Sequence, residues 1–139
     1  MAQLHVDIVS AEGQIHQGEA LMVFAPAEMG EVGIAPQHTP LLTRLKPGEV
    51  RVKTPQGEEL RFFVGGGILE VQPHLVTVLA DTALRAKDVD EAAAQEAKRS
   101  AEAALAGAKS EMDIAKAQQE LAVASARFEF IRKLKDTSR

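Results

Sequence analysis

Residues 75–97 read LVTVLADTALRAKDVDEAAAQEA, and the sequence changes character within this stretch. Its first six residues form a short apolar run rich in Val and Leu, which is typical of a β-strand. From residue 88 onward alanine dominates, and alanine is the best helix former. Glycine and proline mark turns between strands, and nine of the ten Gly and all six Pro precede residue 88. We therefore predict a β domain over residues 1–87 and a helical domain over residues 88–139.

Short apolar runs separated by turn signals fill the first domain. Leu4, Val6 and Ile8 alternate with polar residues, and the later runs either alternate in the same way or are continuously apolar. Short runs at this spacing predict an antiparallel β-sandwich or a barrel, so the chain as a whole belongs to the α+β class. The later runs lie at residues 21–25, 50–53, 60–64, 68–71 and 75–80.

Two helices joined by a short turn are predicted for the second domain. Asp88 can cap the first helix, and Glu91 lies three residues further on, where it can reach back in a capping box. Gly107 is expected to end this helix as a left-handed C-cap residue. Ser110 begins the second helix, which we expect to run to about Leu134. The short connection makes the helices antiparallel neighbours.

The predicted contact between the two helices is narrow and lined by small side chains. Because such a pair buries little apolar area, at about 25 cal/mol per Å², its hold should be marginal. A marginal element can move between partners, although a plain structural hairpin explains the residues equally well. The second helix offers a stripe spaced by four and three, namely Ile114, Ala117, Leu121, Ala124, Phe128 and Ile131. The first helix offers Val89, Ala93, Ala97, Ala101, Ala104 and Leu105.

Composition excludes several classes of function. The chain has no Cys, which excludes disulfides and thiolate chemistry, and its net charge of −4 argues against nucleic-acid binding. Its start has no basic and apolar leader, and no apolar run approaches the roughly 20 residues that span a bilayer. The four His are scattered, and no serine lies in a nucleophile-elbow sequence. We therefore predict no catalytic residues, no metal site and no cofactor, and membrane association only through a partner.

Several separate segments resemble ATP synthase epsilon subunits. Residues 31–42 (EVGIAPQHTPLL) are similar to a characteristic stretch of that family, and so are residues 65–71 (GGGILEV) and 76–83 (VTVLADTA). Residues 4–10 resemble the usual opening, and residues 91–99 resemble the start of the family's first C-terminal helix. The resemblance covers nearly the whole chain, in order and without large gaps.

The resemblance implies a fold, a function and a set of partners. The fold would be a sandwich of about ten strands followed by a helical hairpin. The function would be that of a non-catalytic central-stalk (rotor) subunit, which couples proton flow to ATP synthesis and inhibits ATP hydrolysis through its C-terminal helices. The partners would be the gamma subunit, the ring of c subunits and the alpha and beta subunits of the catalytic head. Such a subunit is peripheral, at the cytoplasmic face of the bacterial inner membrane.

The resemblance also implies two contact sites. A loop with Gly30 at its start would face the c-ring, although the residues alone indicate an ordinary turn. The contact residues implied for it are Glu31, Val32, Gly33, Ile34 and His38. The basic end of the second helix would contact acidic loops of the catalytic head, although favourable charge at a helix C-terminus explains it equally simply. Its implied contact residues are Arg127, Arg132, Lys133 and Lys135, with Arg139 beyond them.

Two further candidates are weak. Many members of the family carry an Asp and an Arg at the start of the first helix, and here Asp90 matches while Ala93 stands at the Arg position. Nucleotide binding is therefore doubtful, because the bidentate phosphate partner is missing. Residues 65–67 (GGG) lack the spacing of a phosphate loop and indicate a tight turn or a close strand crossing. The alternative function is a free-standing binding module whose helices form a dimerisation arm.

Overall fold

The structure, a computed structural model, describes residues 3–137, which divide after Ala86 into two compact units. The first unit contains eight strands and the second contains two α-helices, with a 3₁₀ turn at Ala86–Asp88 between them. The predicted α+β class is confirmed. The strands are β1 (Leu4–Ser10), β2 (Gly13–Ala20), β3 (Met22–Ala27), β4 (Gly30–Ile34), β5 (Leu41–Lys53), β6 (Glu59–Val71), β7 (Leu75–Ala80) and β8 (Ala83–Arg85), and the helices are α1 (Glu91–Gly107) and α2 (Glu111–Thr137).

The eight strands form one sheet in the order β2-β1-β7-β6-β5-β3-β4, with β8 paired to the first half of β6. All pairs among the described strands are antiparallel, as predicted, except β1 with β7, which run parallel. One edge of β1 is taken by its hairpin partner β2. The other edge is filled by a strand that arrives after a long excursion of the chain, and a long connection permits the parallel direction.

The core lies between two parts of the sheet that fold over each other. Leu4, Val6 and Ile8 on β1 belong to one buried cluster with residues of β3, β4 and β5, at the far end of the strand order. Strands so far apart can share a core only if the sheet folds over, and the architecture is therefore a sandwich. Apart from Phe62 the cluster is aliphatic, as the composition predicts.

Two long strands account for the difference between eight strands and the expected ten. Strands β5 and β6 each contain 13 residues, and counting each of them as two gives the number that the resemblance implied. The first half of β6 pairs with β8, whereas the second half, from Gly67 onward, pairs with β7. The change of partner falls on residues 65–67, the three consecutive glycines.

At Gly67 the backbone of β7 leaves no room for a side chain on β6. A Cβ atom placed on Gly67 would lie 2.1 Å from the carbonyl oxygen of Leu79 and 2.8 Å from the Cα of Ala80. Its φ of 144° is also a backbone conformation that other residues rarely adopt. Of the two readings of this segment, the close strand crossing is confirmed, and the tight turn is wrong because β6 continues through all three glycines.

The ends of the helices differ from the prediction at two points. The residue that caps α1 is Asp90, whose carboxylate accepts from the backbone N–H of Ala93 at 3.1 Å, and not Asp88, which lies in the preceding 3₁₀ turn. Gly107 is the last residue of α1 and is not left-handed. The chain instead leaves through Ala108 in an extended conformation, and the N–H of Ala108 satisfies the carbonyl of Leu105. Ser110 does cap α2, as predicted, since its hydroxyl accepts from the N–H of Asp113 at 3.1 Å.

Helices α1 and α2 pack through small residues. On α1 the buried positions are Ala94 and Ala101, whereas Ala93 and Ala104, predicted to face the partner, are exposed. The face that packs runs through Ala94, Ala97, Ala101 and Leu105, and in an alanine-rich helix the sequence offers little contrast between this face and its neighbours. The stripe predicted for α2 is confirmed, with every member buried or partly buried, and Phe130 is buried in addition.

Candidate functional site

The segment that carries the family motif begins at the edge of the sheet. Strand β4 is the last in the strand order and pairs with β3 across a tight hairpin whose tip is Glu28 and Met29. The loop predicted for residues 31–38 is therefore wrong over residues 31–34. The two glycines in this segment suggested a turn, but Gly30 serves the hairpin, with a φ of 134°, and Gly33 lies within the strand.

The two faces of β4 separate the predicted contact residues. Glu31 and Gly33 are exposed, Val32 packs against the core, and Ile34 is completely buried within it. The side chain of Ile34 therefore holds β4 on the sandwich and does not reach the surface. The outer face of β4 brings Glu31 and Gly33 together.

His38 lies in the turn that follows β4 and is partly buried. Its Nδ1 donates to the carbonyl oxygen of Thr39 at 2.6 Å. The turn also contains Gln37, whose φ of 71° is left-handed and whose N–H donates to the carbonyl of Pro73. His38 thus belongs to a turn tied to the β6–β7 connection rather than to the exposed face of β4.

Glu31 has a partner that the sequence did not reveal. Nη2 of Arg51, on β5, lies 3.2 Å from Oε1 of Glu31, and 57% of the Glu31 side chain is exposed. The alternation around residues 50–53 indicated only that Arg51 faces solvent. Contact between β4 and β5 across β3 depends on strand order, which no local pattern specifies.

An exposed apolar row on the outer face of the sheet was also missed. Val9, Leu79 and Ile68 are neighbours on β1, β7 and β6, because Val9 pairs with Leu79 and Leu79 with Ile68. Leu79 is 50% exposed and Ile68 is 44% exposed, and the row borders a shallow groove of about 480 Å³. The sequence did carry a signal for this row. Residues 75–80 include apolar side chains on both faces of the strand, whereas a strand with one face in solvent needs them on its buried face only.

The basic residues of α2 do not form one exposed patch. Arg132 and Lys133 are exposed, and Nη1 of Arg132 lies 3.7 Å from Glu129 on the same helix. Lys135 makes an ion pair with Glu91, in the first turn of α1. Arg127 is partly buried and lines the groove between α1 and α2. The fifth basic residue predicted there, Arg139, lies outside the described residues.

The candidate nucleotide residue has a structural role. The Asp90 carboxylate is engaged by the backbone of α1 as the helix cap. Ala93, at the position of the family's Arg, is exposed and contributes no donor side chain. Neither of these two positions therefore offers a cationic side chain to a phosphate.

Two of the four histidines lie in distinctive surroundings on β1 and β2. His5 is near Glu19 at 3.1 Å and Asp7 at 3.4 Å, and chiefly the hydrogen bond with Glu19 raises the pKa of His5. His16 packs beside Phe62 with ring centroids 5.2 Å apart. Burial lowers the pKa of His16, and the nearby charge of Arg85 acts in the same direction.

The lowered pKa of His16 predicts an acid-sensitive contribution to stability. Below pH 6.5 the unfolded chain binds a proton at His16 more readily than the folded chain does, so folding weakens as the pH falls from 6.5 toward the folded pKa. We expect the free energy of unfolding to fall less between pH 7.5 and 5.5 in His16→Phe, which keeps a ring beside Phe62. Urea titrations at both pH values measure the difference. An equal fall in both proteins would contradict the prediction.

Among residues 3–137, no group of three or more acidic or histidine side chains is placed to hold a metal ion. Neither described helix is long and apolar enough to cross a membrane.

Comparison with known proteins defines the class. Residues 3–86 match the family described as the ATP synthase delta/epsilon chain, β-sandwich domain, and residues 87–132 match its long α-helix domain. The chain therefore belongs to the family of ATP synthase delta/epsilon chains, and the resemblance predicted from its motifs is confirmed.

Within that family the chain is similar to bacterial proteins named ATP synthase epsilon chain. It is 62% identical to the one from Alkalilimnicola ehrlichii over 97% of this chain and 96% of the relative. It is 61% identical to the one from Nitrosococcus oceani over 95% and 94% of the two chains. These relatives support the epsilon-chain reading and not the free-standing binding module.

Two solved structures share the fold. A chain in the Euglena gracilis mitochondrial ATP synthase, in the OSCP/F1/c-ring assembly, matches with a TM-score of 0.78 and 18% identity, over 100% of this chain and 83% of its own. A chain in the Tetrahymena thermophila mitochondrial ATP synthase, in the central stalk/c-ring assembly, matches with a TM-score of 0.61 and 12% identity, over 92% and 96%. At these identities the likeness concerns the fold alone.

Proposed function

We propose that the chain is the non-catalytic epsilon subunit in the central stalk of a proton-translocating ATP synthase. The observation that carries the proposal is the match of both family domains, in order, along one chain that is 62% identical to a protein named ATP synthase epsilon chain. In this role the subunit couples proton flow to ATP synthesis and restrains ATP hydrolysis. Its partners are the gamma subunit, the c-ring and the alpha and beta subunits of the catalytic head.

The sandwich offers two surfaces for rotor contacts. The first is the β3–β4 hairpin and the outer face of β4, where Met29 is 96% exposed and Glu31 presents a carboxylate. A polar partner loop that carries a cation or an amide fits this surface, and we assign it to the c-ring. The second is the apolar row of Val9, Leu79 and Ile68, which suits the larger and drier contact expected with the gamma subunit.

The helical unit has the properties of a regulatory element. Besides Phe130 and Ile131 near the end of α2, the residues buried along its helices are four alanines, so over most of its length little apolar surface opposes a change of partner. The positions on α1 are Ala94 and Ala101, and those on α2 are Ala117 and Ala124. We assign to this unit the restraint of ATP hydrolysis, through contacts of the basic end of α2 with the catalytic head.

The proposed role places the subunit at the cytoplasmic face of a bacterial inner membrane, held there by its partners. It needs no cofactor. Because Asp90 serves as the cap of α1 and Ala93 replaces the family's Arg, the subunit binds ATP weakly or not at all.

Replacing Glu31 by Gln is expected to loosen the coupling between hydrolysis and pumping. The side chain is exposed, so the loss of its contact with Arg51 should lower the free energy of unfolding by less than about 1 kcal/mol. In reconstituted complexes, ATP-driven proton pumping should fall about threefold while ATP hydrolysis stays near its parent rate. The reason is that a weakened contact between epsilon and the c-ring transmits less rotation to the ring but does not stop catalysis in the head.

Glu58→Gln is the matched control, because Glu58 is an exposed acid in the turn between β5 and β6. Equal losses of pumping and hydrolysis in Glu31→Gln, or no loss of either, would count against a coupling role for this surface. Proton uptake into vesicles and phosphate release, measured on one preparation, give the ratio directly.

A further inference from the structure

A row of three residues crosses the outer face of the sheet beside Glu31. In the strand register Phe24 on β3 pairs with Gly33 on β4 and, on its other side, with Arg51 on β5. Residues paired in this way share a face of the sheet, so Gly33, Phe24 and Arg51 lie side by side.

The Phe24 ring packs against the backbone of β4 at Gly33. A Cβ atom on Gly33 would lie 3.2 Å and 3.4 Å from two carbons of that ring, closer than ordinary side chains pack. The absence of a side chain at Gly33 therefore lets the ring lie against the backbone of the edge strand.

The Phe24 ring in turn orients Arg51. The guanidinium carbon of Arg51 lies 4.4 Å from the ring centroid, within the range of a cation–π contact. Stacking restricts the planar guanidinium, so its donors point in fixed directions along the sheet. One of these donors, Nη2, reaches Oε1 of Glu31 at 3.2 Å.

The other acids around Arg51 are further from it. Glu49 lies at 3.6 Å and Glu59 at 3.7 Å, beyond ordinary hydrogen-bond length. Glu49 is held by Arg61, whose Nη2 and Nε lie 2.6 Å and 2.7 Å from its Oε2. The contact with Glu31 is therefore the shortest that Arg51 makes with an acid in this cluster.

We propose that Arg51, oriented by Phe24 lying over Gly33, is the residue that positions the Glu31 carboxylate for its partner. Arg51 fixes one oxygen of Glu31, while 57% of the side chain remains exposed to receive a second cation. Of the three carboxylates around Arg51, Glu49 is paired with Arg61 and Glu59 lies opposite Lys53 in the strand register. Glu31 has the most exposed side chain of the three and is therefore the carboxylate that a Lys or Arg of the partner can neutralise. The role of this site in rotor contact rests on the function proposed above, whereas the positioning is a property of the chain itself.

The functional test compares substitutions of Arg51 in reconstituted complexes. Arg51→Gln should lower the number of protons pumped per ATP hydrolysed about threefold, the size of effect expected from one exposed ion pair. The double variant with Glu31→Gln should fall no further than Glu31→Gln alone, because Arg51 acts through Glu31. Lys109→Gln removes a charge at an exposed position of the helical unit, away from this cluster, and should leave the ratio unchanged.

Arg51→Lys separates positioning from charge. Lysine keeps the positive charge but lacks the planar fork, so it should recover less than half of the lost coupling. Full recovery by lysine would overturn the proposal, because charge alone would then explain the effect.

A spectroscopic test on the isolated subunit examines positioning directly. In NMR spectra, the ring current of Phe24 should shift the Nε–Hε signal of Arg51, and Phe24→Leu should abolish that shift. The backbone amide signals of this variant should remain those of a folded sheet. Glu31→Gln should speed the rotation of the Arg51 guanidinium. An Arg51 signal that neither variant moves would overturn the positioning.

The coupling test and the spectroscopic test separate failure of the rotor contact from failure of the positioning role. If Glu31→Gln leaves coupling intact, the proposed rotor contact at Glu31 is overturned, and the spectra still decide whether Arg51 holds Glu31. If Glu31→Gln lowers coupling and Arg51→Gln does not, the rotor contact stands and the positioning role is overturned.

Discussion

Gly67→Ala is expected to prevent the sandwich from folding stably. The new Cβ atom would lie 2.1 Å from the carbonyl oxygen of Leu79, and that atom belongs to the backbone of a paired strand. Relief requires β6 and β7 to separate at the centre of the sheet, where the buried cluster lies on one side. Overpacking of this kind, added to an unfavourable φ, places the expected loss of unfolding free energy on the order of 4 kcal/mol.

Gly13→Ala is the control that separates the two contributions. Gly13 has a similar φ, 129°, but no atom lies within 4 Å of the added methyl group. Its loss should therefore be that of backbone strain alone, about 1–3 kcal/mol. Urea denaturation of both variants measures the difference, and similar losses at the two positions would mean that the strands at Gly67 can move apart easily.

Reversing Arg132 and Lys133 to Glu is expected to relieve the proposed restraint of ATP hydrolysis. Both side chains are exposed, and interactions of exposed charges contribute little to stability, so the reversal should cost the hairpin little. The variant would lose two exposed ion pairs with the catalytic head and gain repulsion in their place. The equilibrium between helices engaged with the head and helices withdrawn from it should therefore shift about tenfold toward the withdrawn state.

The ion pair between Lys135 and Glu91 explains why Lys135 is left unchanged in that variant. In the structure Lys135 joins the end of α2 to the start of α1, so reversing it would disturb the folded hairpin as well as any contact with the head. Hydrolysis by the assembled complex is the measurement, with a chain that ends at residue 87 setting the rate without restraint.

The matched control reverses Arg99 and Lys109, which are exposed on the same unit, to Glu. This control changes the total charge equally but lies away from the end of α2, so restraint should persist. Raising the salt concentration should weaken restraint in the parent chain and alter the Arg132/Lys133 variant little. If that variant assembles and hydrolyses ATP at the parent rate, these two charges only neutralise the end of a helix.

Much of the fold follows from local patterns in the sequence. The loss of Gly and Pro after residue 87 locates the change from strands to helices within one residue of the structural division after Ala86. The stripe on α2 was also predictable, because helical spacing is a local property. The cap of α1 was not, since Asp88 and Asp90 both precede the helix and only the path of the chain decides between them.

The site was less predictable than the fold. Glu31 was identifiable through the resemblance, yet the sequence could not place it on an edge strand or pair it with Arg51, because both depend on which strands become neighbours. At Ile34, which the resemblance implied as a contact residue, the side chain instead belongs to the core. Alternation shows that a strand has two faces, but not which face a partner will cover.

The parallel pairing of β1 with β7 affects how the chain folds as it is synthesised. The hairpin of β1 and β2 can form early, but the other edge of β1 stays open until the residues of β7, beginning at Leu75, are available. Contacts so distant in the chain give the sandwich a high contact order, which slows folding, whereas the contacts of the hairpin are more local. On the ribosome the open edge of β1 is thus a site where nascent chains could associate until β7 emerges.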